Sequence, residues 1–201
     1  MSGLGIALAM IGAAAPAQTT DDVLRTYIAC AAKRGEVQMQ QLLDARAEAE
    51  YRKAAQAFTE DPRCMVSDDV TTTVVVSTFN QDRGKFRGMV AESLVNRSKT
   101  AARLGPVAKA PAYSASWFGF TSRVQAVDEM AMCVAMIDPA GIRGLLATRP
   151  NSAGQKQAFA ALTPSLGTCL AKGYQLDTKP PALRAALAEA LYHRDRDGGV
   201  K

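Results

Sequence analysis

The chain has 201 residues, a formal net charge of +5, 48% apolar residues and 21% charged ones. That length suits one compact domain or two small ones, and the composition is that of a folded protein rather than a disordered or fibrous one. A charge surplus this small gives no footprint for nucleic acid. The apolar run at the start is too short for a membrane span, so none is expected in the mature chain.

Residues 1–17 read as a secretory signal peptide. Leu4 to Ile11 form a short apolar core, and Ala15-Pro16-Ala17 is a small-x-small cleavage site followed by Gln18. No Lys or Arg precedes the apolar core, so the amino terminus supplies the positive charge there. The expected compartment is therefore periplasmic or extracellular. Cys30, Cys64, Cys133 and Cys169 make an even set, which in an exported chain points to two disulfides. Metal ligation is the rival reading. It is weakened by the absence of any closely spaced cysteine pair and by a single histidine, His193.

The chain reads as two copies of one unit. A shift of about 103 residues lays Cys30 on Cys133, Ala32 on Ala135, Leu42-Leu43 on Leu145-Leu146 and Arg46 on Arg149. Small slips then bring Cys64 onto Cys169. A shift of about 97 superposes Arg87, Ala91, Glu92, Leu94 and Arg97 on Arg184, Ala188, Glu189, Leu191 and Arg194. Unit one spans residues 21–97, a connector 98–123, unit two 124–194, and a charged tail 195–201. Four cysteines allow three pairings. Pairing within units, Cys30–Cys64 and Cys133–Cys169, is expected because a single ancestral unit needs its own cystine. The symmetric alternative joins Cys30 to Cys133 and Cys64 to Cys169.

In chain order, Asp21-Asp22 can cap a helix ending near Lys33-Arg34-Gly35. Residues 36–59 lack Gly and Pro and carry Val37, Met39, Leu42, Leu43, Ala47 and Tyr51 at helical spacing, with a bend expected near Arg46. Pro62 and Pro164 should end the helices that precede the second cysteine of each unit, and Ser152 should cap a helix. Val70–Phe79 is almost entirely β-branched and reads as a strand. It would pair with residues 173–177 in a small two-stranded sheet. The last helix of each unit bears a stripe, Phe86, Val90, Leu94 and Leu183, Leu187, Leu191, with Pro180-Pro181 at the start of the second. The expected fold is mainly α: two pseudo-symmetric, disulfide-stapled helical units.

Familiar catalytic signatures are missing. The chain holds no Gly-x-Ser-x-Gly, no phosphate-cradling glycine loop, no His-Glu-x-x-His and no Cys-x-x-Cys. His193 is expected to be solvated at a helix end beside the charged tail. No catalytic residue, cofactor or metal is expected. Arg87, Glu92, Arg184 and Glu189 are the repeated polar positions, expected as structural ion pairs holding each helix to its unit. The alternative sets Glu92 and Glu189 across a cleft as the paired carboxylates of an envelope-glycan hydrolase.

The connector has four basic residues, Lys99, Arg103, Lys109 and Arg123, and no acidic one, interleaved with Tyr113, Trp117, Phe118 and Phe120. Such a mixture can bind an anionic glycan or lipid. The competing expectation is a crossover whose aromatics, Trp117 above all, pack between the units. The Cys…Leu-Leu-x-x-Arg…Cys unit, followed by Leu-Arg-x-x-x-Ala-Glu-x-Leu-Tyr at Leu183 to Tyr192, resembles a group of uncharacterised exported bacterial proteins with a duplicated two-cysteine helical unit. The resemblance implies compartment and architecture and no catalytic residues. The function expected is a non-enzymatic periplasmic or secreted binding module, with another envelope protein or an anionic glycan or lipid as partner.

Overall fold

The computed structural model describes residues 19–59, 62–64, 68–107 and 114–198; the signal peptide expected at 1–17, Lys109 and Tyr113 lie outside them. Among the described residues the structure is helical, without strands: α1 Thr20–Arg34, α2 Glu36–Asp44, α3 Glu48–Thr59, α4 Asp68–Gln81, α5 Arg83–Val95, α6 Gln125–Ile137, α7 Pro139–Leu146, α8 Ala153–Cys169 and α9 Pro180–Gly198. None of them is long and apolar enough to cross a membrane.

Local chemistry sets most of the boundaries. Thr19 caps α1 in a reciprocal capping box with Asp22, so the cap falls ahead of the Asp21-Asp22 pair that the sequence suggests. Lys33 and Arg34 stand at the negative end of its dipole. The bend near Arg46 is present as a break. The Arg46 guanidinium donates to the carbonyls of Asp44 and Ala45 at the end of α2. Ser152 caps α8 by accepting from the Gln155 N–H.

Two expectations are corrected. Val70–Phe79 belongs to α4, not to a strand, and residues 173–177 are irregular, so the two-stranded sheet is absent from the described residues. An isolated strand would leave its backbone groups unpaired, whereas a helix pairs them internally. That saving outweighs the few tenths of a kcal/mol per residue by which Val and Thr disfavour helix. Val75 and Thr78 are buried, and α4 packs on α1, α3 and α5. Pro164 also fails to end its helix, which runs on to Cys169. A proline inside a helix removes one hydrogen bond. Covalent attachment of Cys169 to Cys133 of α6 holds the remaining turn in place.

The disulfides are Cys30–Cys64 and Cys133–Cys169, each with Cα atoms 5.6 Å apart. Each closes a loop of about 35 residues, which stabilises by roughly 3–4 kcal/mol through the unfolded state. Cys30–Cys64 ties α1 to the short 3-10 turn Pro62–Cys64, and Cys133–Cys169 ties α6 to the end of α8.

The core centres on α5 and α9, which share the most extensive helix–helix interface. The expected stripes, Phe86, Val90, Leu94 and Leu183, Leu187, Leu191, are all buried. Burial extends beyond those stripes: Ala185 to Arg194 is buried without a break. A helix covered on all sides needs small residues where its neighbour crosses. At the crossing, a Cβ on Gly88 would lie 2.2 Å from the Cβ and 2.4 Å from the Cα of Ala185. The absence of a side chain at Gly88 is what lets the two backbones meet.

Gly88→Ala is therefore expected to destabilise by about 1–3 kcal/mol, although alanine is the better helix former. Gly144, exposed in α7 with no atom within 4 Å of a built Cβ, is the control. Gly144→Ala should stabilise by about 0.5–1 kcal/mol. Urea midpoints of the two variants measure both, and a Gly88→Ala protein as stable as the parent would disprove the close crossing.

Candidate functional site

The polar positions singled out in the sequence come together in the middle of the molecule. Arg87 projects from α5 and is fully buried. Its Nε donates to Glu189 Oε1 of α9 at 2.7 Å, and its two terminal nitrogens donate to Leu42 O and Leu43 O at 2.8 and 2.9 Å. Arg184 projects from α9. It donates through Nε and Nη2 to Glu92 of α5 at 3.0 and 2.7 Å, and to Leu145 O and Leu146 O at 2.9 and 3.0 Å. Leu42-Leu43 and Leu145-Leu146 occupy the last turns of α2 and α7, where carbonyls lack helical partners. Each guanidinium thus does two things. It answers a carboxylate on the other central helix and closes the C-terminus of a third helix, where positive charge is favoured.

These are buried ion pairs. Arg87 and Arg184 take their carboxylates across α5 and α9 rather than within their own units, while Glu92 also meets Arg25 of its own unit. Two further cations complete the arrangement. Arg25 of α1 reaches Glu92 Oε1 at 2.9 Å. Arg123 lies between Glu189 Oε2 at 2.6 Å and Asp128 Oδ1 at 2.7 Å, and also donates to Gly84 O at 2.9 Å. Thr121 donates its hydroxyl to Asp128 Oδ2. Sequence reasoning missed Arg25, Thr121 and Asp128. The spacing of Arg123 and Asp128 across the start of α6 was the only signal that could have flagged the last two.

The electrostatics follow from this geometry. Burial alone would raise the Glu189 pKa, but Arg87 and Arg123 outweigh it and hold the group well below the usual carboxylate range. Asp128 has a weaker hold. Its burial raises its pKa more than Arg123 and Thr121 lower it. Burial would lower Arg123, and the two carboxylates it serves push it up instead.

His193 also departs from expectation. It is 2% exposed and lies within α9 rather than solvated at a helix end. Its ring is stacked on the Trp117 indole, with centroids 4.3 Å apart and planes 14° from parallel. Its Nε2 is 3.9 Å from Glu189 Oε1, too far for a hydrogen bond, and has no other partner among the described residues. Burial lowers the His193 pKa by more than the facing Glu189 raises it.

The connector divides. Lys99 and Arg103 are exposed, beside and within the 3-10 turn Ala101–Arg103. Arg123 is turned inward at 8% side-chain exposure and is no part of a basic surface, because three acceptors hold its guanidinium in the core. Trp117 and Phe118 are buried, as the packed-crossover reading expects. The first part of the connector is held down by Arg143, which donates to Ala101 O and Leu104 O, and by Arg194, which bridges Gly105 O to the carbonyls of Ala135 and Met136.

Glu92 and Glu189 do not face one another across a cleft. The crevice that Glu92 lines, together with Arg25, Lys85 and Gln155, holds about 20 Å³, room for one water and not for a saccharide. A larger polar hollow of about 800 Å³ lies beside the end of α9, and several of its polar groups are paired with one another. Arg196 pairs with Asp44 at 3.2 Å, Arg97 with Glu36 at 3.6 Å, and Asp195 accepts from Ser98 at 2.6 Å. Among the described residues no group of side chains is arranged to hold a metal ion. No family model matches the chain, and neither a curated protein nor a solved structure does.

Two predictions follow from the network. Glu189→Ala leaves the fully buried Arg87 without a carboxylate and Arg123 with only Asp128, and should cost about 3–5 kcal/mol. Glu92→Ala should cost less, because Arg25, 26% exposed, can turn its charge to water. Chemical denaturation of the two variants gives the order, and the reverse order would refute this account. The second concerns pH. The folded-state pKa of His193 lies below its ordinary 6.5, so the folded protein resists taking up the proton that the unfolded chain accepts. The resulting stability is present above pH 6.5 and is lost as pH falls through the folded-state value. His193→Phe, which keeps the stack on Trp117, should flatten the stability–pH curve in the range just below 6.5. An unchanged slope would show that His193 is not its source.

Proposed function

We propose that this chain is an exported, non-enzymatic binding module of the periplasm or cell exterior. In this reading it is built by duplication of one two-cysteine helical unit, and its partner is another envelope protein or an anionic glycan or lipid. The observation that carries the non-enzymatic reading is the state of Glu92 and Glu189. Each carboxylate is engaged by two arginines, and the space at Glu92 admits only about one water. Glycoside hydrolysis needs two carboxyl groups flanking a bound sugar, one free to give a proton and one free to take it or attack. Neither carboxylate here is free for that work.

Export is supported by two cystines in a small helical protein, which persist in oxidising compartments. Duplication is supported by the exchange itself. Arg87 meets Glu189 while Arg184 meets Glu92, and Gly88 meets Ala185, its counterpart at the same shift of 97. Contacts of residue i with j′ and of j with i′ are what two copies of one unit make across a twofold interface.

Expression in a bacterium with a periplasm tests the proposal. The recovered protein should have an intact mass beginning at Gln18 and should release no reducing ends from purified envelope glycan. A full-length mass in that fraction would overturn export. Reducing ends that vanish with Glu92→Gln would overturn the non-enzymatic reading and establish the hydrolase instead.

A further inference from the structure

One surface feature is built differently from the rest. A groove of about 600 Å³ lies between α8 and the start of α9. Phe159, Leu166, Pro180 and Leu183 form its apolar wall, and Gln155 and Lys156 stand at its α8 end. No carboxylate lines it among the described residues. Phe159 and Leu166 are half-buried, and Lys156 is exposed.

The polar end favours negative charge for three separate reasons. First, α8 and α9 both begin here, so the positive ends of two long helix dipoles meet at the groove. α1, α2 and α3 carry acidic residues in their first turns, which answer their own dipoles; α8 and α9 carry none. Second, the Lys156 ammonium stands at that end. Third, Gln155 is 4% exposed, and its Oε1 accepts from Arg184 Nη1 at 3.3 Å. An amide oxygen is required there, because an –NH₂ group cannot accept from a guanidinium. The Gln155 Nε2 is therefore left as a donor with no acceptor among the described residues; it is not sealed from solvent, so it can donate to a ligand that enters the groove.

We propose that this groove binds a single-chain amphiphile with a carboxylate head: a fatty acid. The alkyl chain lies along Phe159, Leu166, Pro180 and Leu183. The carboxylate accepts from Gln155 Nε2 and faces Lys156 and the two helix ends. The volume falls in the range of pockets that take one small ligand, about 300–1,000 Å³. This deepens the reading of the chain as a binding module by naming its ligand class.

Titration calorimetry of the oxidised, full protein with dodecanoate below its micelle concentration tests the proposal. One-to-one binding is expected. Lys156→Glu should weaken dodecanoate about tenfold, the loss of one charge-assisted contact, and leave dodecanol unchanged. Ala160→Trp, placed at an exposed groove position, should abolish both while the melting curve stays that of the parent. Failure of dodecanoate to bind would overturn the proposal. So would equal binding of dodecyltrimethylammonium, or capture by anionic phospholipid vesicles that Lys156→Glu does not weaken. The recovered N-terminus and the absence of glycan hydrolysis are independent of this titration, so the ligand and the reading it deepens fail separately.

Discussion

Two buried arginines organise this molecule. Arg87 and Arg184 each leave one central helix, bind a carboxylate on the other and cap the end of a third. Desolvating a guanidinium costs several kcal/mol, and an ion pair alone seldom recovers it. Here the remaining donors are spent on helix-end carbonyls that would otherwise be orphaned. The arrangement fixes α2 against α5 and α7 against α9 at one register, and it fixes α5 against α9. Specification of geometry, more than raw stability, is what such a saturated buried network supplies.

The close crossing at Gly88 belongs to the same device. Short arginine-to-glutamate distances across two helices need close axes, and close axes need a position with no side chain. The disulfides act elsewhere. They join α1 to the Pro62–Cys64 turn and α6 to the end of α8, so each anchors a helix that itself carries core residues. Covalent restraint there and ionic restraint between α5 and α9 are complementary. A small helical protein with short outer helices gains from both.

Much of this was readable from the residues. The matched positions of Cys30, Cys64, Cys133 and Cys169 left two symmetric pairings, and the need of a single ancestral unit for its own cystine picked the observed one; the buried stripes of α5 and α9 followed from their four-residue period. Arg87, Glu92, Arg184 and Glu189 stood out because they recur together. Their partners did not, because a guanidinium's choice of carboxylate is set by helix crossing, which no local spacing encodes. Val70–Phe79 misled for a related reason. β-Branched residues report a preference for pleated surfaces, but with no second strand to pair with, backbone satisfaction decides for the helix. His193 and Arg123 were read as solvated because charge near a chain end or in a linker usually is. Arg123 is instead drawn inward by Glu189, 66 residues away, and His193 is buried by its stack on Trp117.

The exchange between α5 and α9 also sets an order of events. Glu189 lies 102 residues beyond Arg87, and Arg184 lies 92 beyond Glu92. The first five helices can be synthesised in full and still leave Arg87 without its carboxylate and Glu92 with Arg25 alone. The core therefore closes only when the final helix emerges, and contacts of such long sequence separation are slow to form. Until then the α5–α9 interface, the most extensive in the fold, is missing, and a chain that lacks it is easier to unfold than the finished protein.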